Sequence, residues 1–313
     1  MKYTKLRTAF TMLELVFVIA VLGIVASIGA EIIAQLYSGY VQQRAVHRAS
    51  IKTEIAALQI ANRLTYAIPN TIIARPTDGN ITFIPLDQNP PTDYEILQWL
   101  GSDVDSFEAM QNNADRRPGW SGFCDVDAAV TIANRNRIFT PGSNFAVARR
   151  VIRNLSRGTT GRWLNRTALF FAGNNTYTAN TVGYVTGGGN DITGVNLVAG
   201  QPGAVSDTIR LRNVAIGNRH ISETYQLAWT SYALVPVNED ADGNFDLELR
   251  YNFQPWYNEF YNAVATPREI LVRKISLFKF KATGNSIRFK LCAREEIAQG
   301  EYITICKEKA VIR

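Results

Sequence analysis

The chain is poor in the residues that build most catalytic centres. Two histidines among 313 residues exclude a histidine-rich metal centre. Three cysteines are too few for a disulfide-dense mini-domain. No H-E-x-x-H or G-x-S-x-G occurs, nor a G-x-x-x-x-G-K followed by Ser or Thr. The triple glycine at 187–189 has no Lys-Ser/Thr after it and reads as a loop. His47 lies on a helical stretch and His220 stands alone. Asp125 and Asp127 are two carboxylates with nothing else to mark them as acid and base. No catalytic residue is therefore expected, and the chain reads as a non-enzyme. Charged residues are also sparse, at 19% against 46% hydrophobic, which excludes a wholly disordered chain. A mean hydropathy of −0.08 excludes a protein of many membrane spans.

Charge is missing locally in an informative way. Residues 1–9 contain Lys2, Lys5 and Arg7 but no acid, and from Leu15 to Ala30 there is no charge at all. The 21 residues from Phe10 to Ala30 span roughly 31 Å as a helix, enough for a bilayer core of about 30 Å. Backbone groups in lipid pair internally, so helix is expected despite the β-branched residues. Positive charges precede this segment and the next one after it is Arg44. The positive-inside rule then leaves residue 1 in the cytoplasm and the bulk of the chain outside. Composition leaves open a cleaved signal peptide with its exit near Ser27–Ala30, and a plain membrane anchor. Glu14 suits neither, because a carboxylate within the apolar run costs about 3 kcal/mol on insertion scales.

The string A-F-T-M-L-E-L at 9–15 resembles the processing motif of type IV prepilins and of the pseudopilins of type II secretion. In that family a short basic leader ends in a small residue. The mature chain begins with Phe, has Glu as its fifth residue, and continues as an apolar helix. Ala9, Phe10 and Glu14 occupy these positions, and Thr11 and Leu13 also match. Ala9 departs from the family's usual Gly, and Glu31 stands where major pilins often carry a helix-kinking Pro. The resemblance covers about 30 residues directly. It implies that a prepilin peptidase cuts between Ala9 and Phe10 and methylates the new amino group. It also implies docking of Glu14 against the Phe10 ammonium of a neighbouring subunit, where each charge relieves the desolvation of the other.

Polar residues appear from Glu31 onward with no helix-breaking signal before Pro69, although Gly39–Tyr40 is a local weak point. Ile51, Ile55, Leu58, Ala61, Leu64 and Ile68 recur at spacings of three and four and are expected to form the face packed on the rest of the protein. The helix is expected to run from Phe10 to Ile68, roughly 90 Å if unbroken. The organisation predicted is a leader (1–9), a membrane segment (10–30), an extramembrane continuation of the helix (31–68) and a β-rich head (69–313).

In the head, 81–86 reads as a short strand ended by proline. Residues 92–101 and 103–110 read as short helices capped by Thr92 and Ser102. The stretches 224–237 and 244–253 have strand composition around a polar turn. So do 270–282, 285–295 and 302–312, separated by Thr283–Gly284 and Gln299–Gly300, which predicts an antiparallel meander. The fold class is α+β: a long N-terminal helix on an antiparallel sheet, pilin-like. The terminal sheet resembles that of the larger minor pseudopilins. A turn centred on residue 299 places Cys292 opposite Cys306, a candidate disulfide outside the cytoplasm. Cys124 is left over and is expected to be buried.

Two charge patterns suggest ligands. From Ala128 to Asn190 there is no Asp, Glu or Lys but eight arginines, +8 in a chain of net +6. Among them Arg149, Arg150, Arg153, Arg157, Arg162 and Arg166 are candidates for nucleic-acid contact, with Trp163 available to stack. The other reading is a solvated or subunit-facing surface, and no DNA-binding module accompanies the arginines. Asn238, Asp240, Asp242 and Asp246, with Gly243 and Phe245 between, follow the start of a calcium loop. The closing position is Leu249 rather than Glu, and a polar hairpin turn is the other reading.

These residues are expected to make a minor pseudopilin: a structural subunit of a type II secretion, type IV pilus or competence filament, anchored in the inner membrane by one span. Its partners would be other pseudopilins, prepilin peptidase, the inner-membrane assembly platform and the lipid bilayer. The alternative is a membrane-tethered binding protein, a DNA or substrate receptor that never polymerises.

Overall fold

The computed structural model describes residues 11–79, 82–110, 116–134, 137–156, 164–173, 177–185, 195–199, 207–212, 221–298 and 300–312. The leader and Phe10 lie outside these residues. One helix, α1 (Met12–Thr65), runs unbroken through Gly39–Tyr40 for 54 residues, about 80 Å at 1.5 Å per residue. Its backbone bonds close without help from the head, because residues 12–44 touch almost nothing else: Ala45 is the first buried residue of the helix. This first part is long and apolar enough to cross a membrane.

The helix stops three residues short of the predicted end. Ile68 precedes Pro69, which disfavours helical backbone at Ile68. The chain instead turns at Tyr66 and joins the sheet. Ala67 bridges Gly101, and the Ile68 N–H donates to the Leu100 carbonyl at 2.9 Å.

The head is one mixed-length sheet with smaller elements laid against it. In chain order its strands are β1 (Ile73–Arg75), β2 (Ile84–Pro85), β3 (Ile96–Ser102), β4 (Arg137–Phe139), β5 (Ala168–Phe171), β6 (Asn196–Leu197), β7 (Thr208–Arg210), β8 (Tyr225–Val237), β9 (Phe245–Phe253), β10 (Arg268–Thr283), β11 (Ser286–Ala298) and β12 (Glu301–Ile312). The short helices are α2 (Val104–Glu108), α3 (Ala129–Asn134) and α4 (Phe145–Leu155). The main sheet runs β12-β11-β10-β9-β8-β3-β1-β2. β5 joins it by pairing with the first half of β8, and carries β6 on its other edge. All these pairings are antiparallel, so the predicted terminal meander is present as β10–β12.

The second part of the helix expected over 92–101 is instead β3, in the sheet interior, with six of its seven positions buried. A strand covered on both faces carries no alternation, so its Leu, Gln and Trp content mimics a buried helix. The helix at 103–110 exists as α2, but its cap is Asp103, whose carboxylate accepts the Ser106 N–H at 3.2 Å.

Against β10–β12 the helix presents Ala45, Ala49, Thr53, Ala56, Ala57, Ile60 and Leu64, all buried. The predicted face holds at its end, where Leu64 and Ile68 are fully buried and Ala61 packs on the core, and is corrected at its start. Ile51, Ile55 and Leu58 lie on the opposite side, with exposures of 46%, 52% and 45%. Small side chains let the helix axis approach the sheet closely, and the bulky residues Ile60 and Leu64 enter the core only near its end. There they meet Trp99, Leu247, Phe278, Phe289 and Leu291 in the principal core. A second core gathers Phe145, Ala148 and Ile152 of α4 with Trp120, Phe171 and Tyr225.

Candidate functional site

The N-terminal segment is the first site. Thr11 caps α1, its hydroxyl accepting the Glu14 N–H at 3.3 Å. Thr-x-x-Glu is a capping-box spacing, and a carboxylate in the first turn complements the helix dipole. The Thr11-x-x-Glu14 spacing signals this capping role in the sequence itself. Ala9 and Phe10 lie outside the described residues.

Cys292 and Cys306 are register partners in β11 and β12 and are joined by a disulfide, with Cα atoms 4.0 Å apart. Cys124 is a free, buried cysteine whose thiol is pushed up to about 12, first by burial and then by Asp125.

The acidic stretch 238–246 is the β8–β9 hairpin turn, and its oxygens serve the turn itself. Asp240 Oδ1 accepts from the backbone N–H groups of Asp242 and Asn244, at 3.0 and 2.8 Å. These bonds, those from Asn244 first, hold the Asp240 carboxyl below its ordinary range. Asp242 accepts from Tyr302, while Asp246 accepts from Arg273 and from Asn238. The carboxylates therefore diverge instead of facing one centre. Among the described residues no group of three or more His, Cys, Asp or Glu is placed to hold a metal. The loop fits the hairpin-turn reading and not the calcium one.

The described arginines of the run fall in two places. Arg149, Arg150 and Arg153 sit on α4, whose apolar face (Phe145, Ala148, Ile152) is buried; Arg150 and Arg153 are exposed and Arg149 is half-buried. Arg166 instead holds two parts of the head together. Its Nη1 donates to Glu259 Oε1 at 2.9 Å, and its guanidinium lies 5.1 Å from the Tyr257 ring, which also receives Arg212 at 4.8 Å. Arg157 and Arg162, with Trp163, lie outside the described residues. Among the described arginines, Arg166 is bound within the head, apart from the three on α4.

Two buried ionisable groups escaped the sequence reading. Arg75 on β1 is 1% exposed. It donates to Gln98 Oε1 at 2.7 Å and to the Tyr184 carbonyl at 2.8 Å. Phe83, Tyr184 and Tyr261 surround it within 5.8 Å. Burial lowers its guanidinium to about 10. Asp103 is 2% exposed, and burial raises its carboxyl to about 7. An isolated charged residue in a strand of unremarkable sequence carries no signal of burial; only the fold encloses it.

Comparison with protein-family models, with curated proteins and with solved structures finds no match to this chain.

Proposed function

We propose that the chain is a minor pseudopilin-like structural subunit. In this reading it is cut between Ala9 and Phe10, methylated at Phe10, held in the inner membrane by one span with its head outside the cytoplasm, and docked into a filament through Glu14. The observation that carries the reading is the unbroken helix: residues 12–44 stand clear of the head, and large apolar side chains continue past the membrane segment. Tyr37, Tyr40, Ile51, Ile55 and Leu58 are all exposed. A plain tether needs only about 20 apolar residues and gains nothing from a further apolar stripe on the side of the helix turned away from its own head. A subunit that packs helix against helix needs such a stripe. The head of about 245 residues (69–313) suits a minor subunit better than one repeated along a tight helical filament.

Two measurements test the reading. Mass analysis of the mature N-terminus should find N-methyl-Phe10; a start near Ala30 makes the chain a secreted protein, and an intact Met1 an unprocessed anchor. Glu14→Ala should insert in the membrane normally and fail to enter filaments. Normal incorporation of that variant removes the docking role and leaves the tethered receptor as the better account.

A further inference from the structure

The main sheet ends in two unlike edges. One is β2, two residues long and carrying Pro85, so it offers little template for another strand. The other is β12, 12 residues long with neither Pro nor Gly. Its register with β11 is regular from Tyr302 to Ile312, the one shift lying between Glu296 and Ala298 beside the turn. Among the described residues β12 pairs on one side only. Its two lysines do not guard the open side, because Glu54 of α1 holds both Lys307 and Lys309. Soluble proteins avoid long, regular, unguarded edges, since these invite another strand.

The open side presents backbone groups. Cys306 and Cys292 have Cα atoms 4.0 Å apart, the narrow spacing of a non-hydrogen-bonded pair. The N–H and C=O of Cys306 therefore point away from β11. By alternation, so do those of Thr304, Glu308, Ala310 and Ile312. The side chains of these residues are exposed, Ile312 at 80%. A row of outward amides matches the backbone of an extended chain, which adds to the sheet as a further strand.

We propose that β12 takes up an extended segment of another protein, with Lys or Arg opposite Glu308 and a β-branched apolar residue four places away, opposite Ile312. Among the described residues Glu308 makes no ion pair, although Lys290 is its register partner. Opposite charges and apolar pairs facing each other across strands are stabilising. A second copy fits this edge badly. Identical edges meet antiparallel about a two-fold axis normal to the sheet, because an axis along the strands would set facing residues on opposite sides of the pleat. The normal axis reverses α1, which lies against the sheet. In chains with the single span proposed above it would aim the two membrane segments in opposite directions; only this step rests on that reading.

The test uses the full chain in lipid nanodiscs and a labelled peptide, Val-Thr-Thr-Thr-Lys-Thr-Thr-Thr-Val, which offers the same spacing in parallel or antiparallel pairing. Fluorescence anisotropy should show saturable binding at one peptide per chain. Replacing the central Lys of the peptide by Glu should weaken binding fivefold or more. Glu308→Lys in the protein should reverse that preference. Ala310→Pro removes an outward N–H and leaves the bonds to β11 in place, the setting in which an edge strand tolerates Pro. It should weaken binding tenfold or more at an unchanged melting temperature; if it melts earlier, the charge exchange at Glu308 decides alone. No saturable binding, an unreversed preference in Glu308→Lys, undiminished binding in Ala310→Pro, or head-to-head pairing of discs without peptide would each overturn the proposal. Filament entry of Glu14→Ala is a separate measurement, so failure here leaves the subunit reading standing.

Discussion

Lys52 Nζ donates to Glu295 Oε1 at 2.8 Å, joining the helix to β11 across 243 residues of sequence. Two residues on, across the buried Thr53, Glu54 accepts from both Lys307 and Lys309 of β12. These bonds join α1 to the sheet, but solvent screening keeps such exposed pairs weak. The alanine face does more. Lys52→Met should therefore lower head stability by less than about 1 kcal/mol, whereas Ala57→Leu, which forces bulk between helix and sheet, should cost about 1–3 kcal/mol. Chemical denaturation of both variants checks the ranking, and a larger loss from Lys52→Met would reverse it.

Asp103 has its carboxyl raised from 3.8 to about 7 by burial. The folded chain therefore holds a proton that the unfolded chain has lost between these two values. Stability at this site falls as pH rises from about 4 to about 7 and is level above that. Asn caps a helix as well as Asp and carries no charge. Asp103→Asn should thus stabilise the head by on the order of 2–4 kcal/mol at pH 8 and by almost nothing at pH 4. Melting temperatures at the two pH values decide it; a gain that does not depend on pH would show that ionisation is not the cause.

The three cysteines should separate by chemistry. With Cys292 and Cys306 bridged and Cys124 buried as a thiol at about 12, iodoacetamide at pH 8 should label no cysteine in the folded chain. It should label Cys124 alone after unfolding without reductant. Closing a loop of 14 residues by a disulfide contributes about 3 kcal/mol, so the Cys292→Ser, Cys306→Ser double variant should unfold correspondingly earlier. Native labelling at Cys124, or an unchanged midpoint in the double variant, would count against these assignments.

What was legible in the sequence follows the reach of each signal. The β11–β12 disulfide was readable because hairpin pairing is local, although the register that opposes Cys292 to Cys306 is reached through a shift between Glu296 and Ala298. The extent of α1 was readable from its unbroken polar and apolar run. Its buried face was readable only near the end, at Leu64 and Ile68, because both sides of residues 45–64 carry apolar residues and a spacing rule weights the larger ones. The sheet takes the alanines, since closeness of approach decides the packing there. β3 was misread for a related reason: a strand buried on both faces has no alternation to detect. The acidic loop and the arginine run were legible as compositions. Whether their side chains converge depends on partners far away in sequence, such as Arg273 for Asp246 and Glu259 for Arg166.

The outward stripe on α1 gives the sharpest separation between folding and assembly. Ile51, Ile55 and Leu58 are each close to half exposed, so replacing all three by Gln removes little buried surface. Gln is also a good helix former. Surface changes of this kind stay within about 0.5 kcal/mol each, and the head should melt as before. If helices pack against this stripe in a filament, the same triple variant should lose incorporation, measured as the fraction cross-linked to neighbouring subunits in membranes. Ala49→Leu, on the buried side of the same helix, should show the inverse pattern: a destabilised head, with assembly impaired only as far as folding is. Normal cross-linking of the Ile51→Gln, Ile55→Gln, Leu58→Gln chain would mean that the stripe is plain solvent-exposed surface, and that Glu14 acts in assembly without it.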